Sequence, residues 1–125
     1  MATVGGNQTR ETYIAGADLS AKQFTFVIQN TTDRTVVNAT DGQAADGVLI
    51  NNPTSGAAAT VVTAGRVMVE VGTGGLTAGA LVASDANGEA IVATTGDVVV
   101  GKALEAAAAG TRTTIDFFRG GNAVA

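Results

Sequence analysis

Short apolar stretches broken by Gly, Asn, Asp and Thr recur along the chain, and a two-residue period dominates over a helical one. The clearest alternation is Arg66-Val67-Met68-Val69-Glu70-Val71, which puts Val67, Val69 and Val71 on one face and Arg66, Met68 and Glu70 on the other. The valine face is expected to meet the core, and Gly72-Thr73-Gly74-Gly75 closes the strand. Phe24-Thr25-Phe26-Val27-Ile28 and Gly47-Val48-Leu49-Ile50 read as earlier strands. The second ends at Asn51-Asn52-Pro53, where proline removes a backbone donor and asparagine favours a turn. Ala80-Leu81-Val82-Ala83 and Ala90-Ile91-Val92-Ala93 flank Asn87-Gly88, a strong hairpin signal. Residues 98–104 and 113–118 complete the set. The pattern predicts an all-β fold, either a small single-domain β-barrel or a β-sandwich.

One segment conflicts locally with that class. Ala103-Leu104-Glu105 and the four alanines after it have high helix propensity. Gly101 and Gly110 bracket a stretch too short to hold a helix by itself, so it is read as strand and turn. Residues 17–23 are the other place for a brief helical turn. Residues 1–12 are polar and follow neither hydrophobic period, which predicts a flexible, extended N-terminal arm ahead of a β domain at 13–125. The start has no basic stretch and no apolar run, so it does not read as a signal peptide. No apolar run approaches the ~18 residues of a membrane helix, and a soluble chain with no membrane partner is expected.

Composition sharpens the picture. At 125 residues the chain fits one domain. Apolar residues make up 46% but aromatics only 4%, with no Trp, so the core is built of Ala and Val. Small side chains bury little area each at ~25 cal/mol per Å², which favours further burial between subunits. Seven basic against eleven acidic residues give a net charge of -4 with no basic cluster, and a nucleic-acid partner is not expected. The absence of Cys and His removes thiolate and imidazole chemistry and the commonest zinc ligands. No metal or cofactor is expected, and the chain reads as non-enzymatic.

The candidate motifs resolve to turns. Val69-Glu70-Val71-Gly72-Thr73-Gly74-Gly75 resembles a strand entering a nucleotide-binding loop, but Thr77 stands where the third glycine belongs. Gly79, Asp85 and Gly88 then interrupt the region where a phosphate-binding helix would run. Asp85-Ala86-Asn87-Gly88 lacks the further oxygen ligands and the terminal Glu of a calcium loop. Asp41, Asp46 and Asp97 sit beside glycines, as turn carboxylates do. Phe117 and Phe118 point to alternate faces of the last strand, and Tyr13 could anchor the arm.

From Ala64 onward the chain resembles the capsid cement, or head decoration, proteins of tailed phages. The matching features are Gly65-Arg66-Val67, Leu76-Thr77-Ala78-Gly79-Ala80-Leu81-Val82, Ser84-Asp85-Ala86-Asn87-Gly88, Thr95-Gly96-Asp97-Val98, Gly101-Lys102-Ala103-Leu104-Glu105-Ala106 and Ala109-Gly110-Thr111, in that order. Gly16-Ala17-Asp18-Leu19-Ser20 also fits. The resemblance implies a structural protein, made in the host cytoplasm, that sits on the outer surface of a phage head. There it is commonly a trimer bridging major capsid protein subunits, without catalysis. Asn7, Arg10, Glu11 and Tyr13 are then candidate capsid contacts, and Phe117 and Phe118 candidate contacts between copies of the chain. Two other classes compete. A biotinyl- or lipoyl-type domain needs a lysine at a hairpin tip, whereas Lys102 reads as strand and Lys22 lacks the flanks. A carbohydrate-binding or adhesin module needs aromatic platforms, and the chain offers only Tyr13 and four Phe.

Overall fold

The computed structural model describes residues 8–119 and 122–124. Among these residues the regular structure is nine strands and no helix: β1 (Thr9–Ala15), β2 (Phe26–Gln29), β3 (Thr35–Asn38), β4 (Gly47–Leu49), β5 (Ala58–Glu70), β6 (Leu81–Ser84), β7 (Ala90–Val92), β8 (Gly101–Ala103) and β9 (Arg112–Phe117). The all-β expectation holds, and the alanine run forms a turn whose Ala107 bridges Leu76.

The pairing is organised around β5, whose 13 residues are about twice the length of an average strand. Its first half belongs to a cycle that closes on itself. There β1 pairs with β3 in parallel, β3 with β2, β2 with β4, β4 with β5, and β5 with β1 again. Its second half opens a further series through β9, β8, β6 and β7. An isolated parallel bridge between Val71 and Ala90, with Gly72 N donating to Ala90 O at 2.7 Å, brings the far strand of that series back to the end of β5. Between the two halves, Gly65 takes a φ of 105°, a conformation that glycine reaches without steric cost.

Two apolar clusters follow from this arrangement. Tyr13, Ala15, Val27, Val36, Leu49, Ala59 and Val61 fill the interior of the first cycle together with Leu19. The opposite faces of β2, β4 and β5 present Phe26, Val48 and Val62, which meet Val67, Val69, Val82, Ile115 and Phe117 of the second series in the larger cluster. The rings of Phe26 and Phe117 stack there with centroids 6.1 Å apart. The core is dominated by valine and alanine, as the composition indicates. The chain exposes 5922 Å², close to the ~6,100 Å² typical of a monomer of its mass, so small side chains do not leave it loosely folded.

Three features depart from the sequence reading. Thr9, Arg10, Glu11 and Thr12 were expected in an arm outside the domain but form the first part of β1, paired with β5 from Ala64 to Thr60. All four side chains are exposed, so bonds to their backbone place them, including one from Arg34 Nη2 to Thr12 O at 2.7 Å, and no hydrophobic signal marks the strand. Residues 1–7 of the expected arm lie outside the described residues. Residues 58–65, unassigned from sequence, belong to β5, and β3 was likewise unassigned. Phe24, expected within a strand, has a φ of 68° and stands just before β2. Its N–H donates to Leu49 O at 2.6 Å and its carbonyl accepts from Glu70 N at 2.8 Å, so one residue ties the two series together.

Candidate protein-binding surface

Of the carboxylates beside glycines, Asp97 caps a local turn, whereas Asp46, expected in a turn, reaches across to the end of β2 and also pairs with Arg119 at 3.4 Å. Asp46 Oδ2 accepts from Gln29 N at 2.7 Å, and Asp97 Oδ2 accepts from Thr94 N at 3.0 Å. Asp85 Oδ1 accepts from Asn87 N and Glu89 N at 2.8 and 2.9 Å, which fixes the β6–β7 hairpin where Asn87-Gly88 predicts it. Gly88 closes that turn with a φ of 78° and donates to Asp85 O at 3.2 Å. The glycines after Val71 also form a turn, with Gly75 N on Gly72 O at 3.3 Å, and Leu76 continues into its bridge with Ala107 where a nucleotide loop would start a helix.

Two carboxyls are shifted. Hydrogen bonds from the Ser20 side chain and backbone hold Asp18 below its usual range. Partial burial raises Glu89, with the charges of Asp85 and Glu70 adding to the shift and Lys22 opposing it. Among the described residues no group of three or more acidic side chains is placed to hold a metal ion.

The predicted contact residues separate into two kinds. Arg10 and Glu11 are exposed on β1. Tyr13 is only 8% exposed, because its side chain enters the first cycle, and the Arg34 guanidinium lies 5.4 Å from its ring centre. Asn7 is outside the described residues. Phe117 was expected at an interface between copies but is 2% exposed, because strand alternation turns it into the core against Phe26. Phe118, just beyond the end of β9, is 40% exposed and keeps its place as a surface candidate. Lys102 lies within β8 across from Asp116, away from any hairpin tip.

The face of the second series turned away from the core carries a mixed surface. Arg66 and Asp116 stand opposite each other and form an ion pair at 3.2 Å, and Lys102 follows on β8 with Leu81 beyond it on β6. Met68 lies two residues along β5, and Met68, Leu81, Leu104 and Phe118 are all exposed. Beside Met68 a groove of about 370 Å³ is lined by Gln8, Arg10, Phe24, Ile50, Val67 and Met68. The Arg112 guanidinium lies 4.8 Å from the Phe24 ring centre and pairs with Glu70, holding one wall. The sequence places Met68 on the polar face of its strand. Phe24 and Ile50 carry no such signal, because they meet the groove only through the fold.

No family model matches this chain, and no curated protein matches it. Among solved structures it is similar to the N base of head fiber gp8.5 in bacteriophage phi29, at 18% identity and a TM-score of 0.73. The match covers 91% of this chain and 97% of that one, so the two share a fold along almost their whole lengths.

Proposed function

We propose that this chain is a structural protein of a phage virion that binds the outer surface of the head and stabilises contacts between major capsid protein subunits, as a capsid cement protein does. The observation that carries the reading is the fold shared with a head fiber base over 91% of the chain. The ordered set of features from Ala64 to Thr111 supports the same conclusion from sequence. The mechanism is mechanical. Each subunit makes modest contacts through its exposed strands, and copies joined as a homotrimer engage neighbouring capsid subunits together, so effective concentration turns weak contacts into a durable clamp. Phe118, with Leu81 and Leu104, offers apolar area for contacts between copies, and the net charge of -4 suits an outer surface better than one against packed DNA.

Co-sedimentation with undecorated phage heads, together with the mass of the free protein in solution, tests the proposal. Saturable binding of a trimer is expected. A monomer that stays in the supernatant would overturn it.

A further inference from the structure

The second half of β5 pairs along one edge and faces the groove with the other. Val71 N donates to Thr111 O at 2.8 Å and Gly110 N donates to Val71 O at 2.9 Å, so the odd-numbered positions turn their backbone groups toward the β9 side. Even-numbered positions turn the opposite way. Gln8 Nε2 donates to Arg66 O at 2.9 Å, and Glu70 N donates to Phe24 O at 2.8 Å. Met68 lies between them, and strand alternation sends its N–H and C=O into the groove. No turn or loop group among the described residues bonds to either.

The walls add chemistry to that edge. Phe24, Ile50 and the Met68 side chain are apolar, whereas Val67 turns its side chain into the core. At the rim, the Arg10 guanidinium bonds the neutral Gln8 Oε1 at 3.0 and 2.7 Å and forms no salt bridge with a carboxylate among the described residues. An exposed strand edge accepts an extended backbone, an apolar wall selects its side chains, and a cation without a counter-charge selects a carboxylate.

We propose that this groove captures an extended segment of a partner protein by adding a short strand to β5 at Met68, with an apolar side chain against Phe24 and Ile50 and an Asp or Glu against Arg10. The edge from Arg66 to Glu70 spans about 14 Å, enough for about four residues of strand. Identifying the partner with a capsid subunit rests on the function proposed above, whereas the recognition mode rests on the groove.

The test titrates the full chain with acetyl-Thr-Val-Asp-Val-Thr-amide and with the same peptide carrying Lys in place of Asp, following amide hydrogen exchange by NMR. In the free chain the Met68 N–H is expected to exchange at least tenfold faster than those of Val67 and Val69. The Asp peptide slows it at least tenfold and binds at least threefold tighter than the Lys peptide. Arg10→Ala removes that preference. Met68→Pro abolishes binding and leaves the Val67 and Val69 amides protected, since β9 bonds only their side of the strand. Three results overturn the proposal: no response to either peptide, Met68 protection that disappears on deleting residues 2–7, or protection that grows with protein concentration. The last two would show the edge filled by the chain's own start or by a second copy. A chain that takes the Asp peptide but ignores phage heads would overturn the proposed function alone. A Met68→Pro chain that loses the peptide yet still sediments with heads would remove the groove from attachment.

Discussion

The two halves of β5 live in different environments. In the first half Val61 and Val62, adjacent in sequence, are both fully buried, one inside the closed cycle and the other against the second series. In the second half Val67 and Val69 are buried, while Met68 between them is 39% exposed. The first half is therefore a shared wall, whereas among the described residues the second is paired along one side at Met68. The shared wall and the proposed binding edge thus lie along a single strand.

The strongest way to break this division is at the junction. Phe26→Ala should cost about 3–5 kcal/mol, because it opens a cavity against Phe117 where the two series meet. Urea unfolding should remain a single transition with a lower midpoint. Two transitions would show that the halves fold separately.

Next in size, Gly47→Ala drives a methyl into Val61 Cγ1 and to 2.7 Å from Val62 O, inside the shared wall. A loss of about 1–3 kcal/mol is expected by chemical denaturation. Met68→Lys, on the free side of the same strand, should change stability by less than about 0.5 kcal/mol. Equal losses in the two variants would erase the contrast.

In the second series, Gly88→Ala forces a side chain into a φ of 78° and against Phe26 O at 2.8 Å, whereas Gly96→Ala meets the same kind of backbone strain in open space. The Tm should fall for both and further for Gly88→Ala, with the Gly96→Ala cost near 1 kcal/mol.

The smallest effect concerns Glu89, whose carboxyl is raised by burial and by Asp85 and Glu70. A raised folded-state value means that the protonated form favours the fold, and this contribution is lost as pH climbs through the carboxylate range. Glu89→Gln should therefore raise Tm slightly at pH 7, and the gain should vanish below about pH 4. A gain that persists at low pH would assign the effect to something other than charge.

Legibility in the sequence followed the same division. From Arg66 onward β5, β8 and β9 turn alternate residues to the core, which makes them legible as strands, and the Asn87-Gly88 turn located β6 and β7, although Val82, Ala83 and Ser84 are buried in succession. Residues 58–65 gave no usable period, because valines at 61 and 62 are buried on opposite faces and alanines flank them. Thr9 to Thr12 are held by backbone pairing while their side chains face solvent, so polarity suggested an arm. Of the candidate contacts, Arg10 was chosen for its place in a polar stretch, and the structure leaves its side chain exposed on β1. Phe117 was misassigned because the choice between two adjacent rings depends on which face meets Phe26, and that face is set by the register with β5. The groove at Met68 was hidden for a related reason: its walls come from residues 8 to 68, joined by a bend at Gly65 and by Phe24 in a conformation that sequence periodicity cannot express.

Because β5 serves both sets of strands, its two halves acquire their neighbours at different moments of translation. Every strand that flanks the first half has left the ribosome by the time β5 itself is complete. The second half, with Val67 and Val69, must wait for Arg112–Phe117, which follow about forty residues later. A nascent chain stalled between these points would display a sticky, half-paired ribbon, so the interval before the last strand emerges is when this protein most needs protection from its own kind.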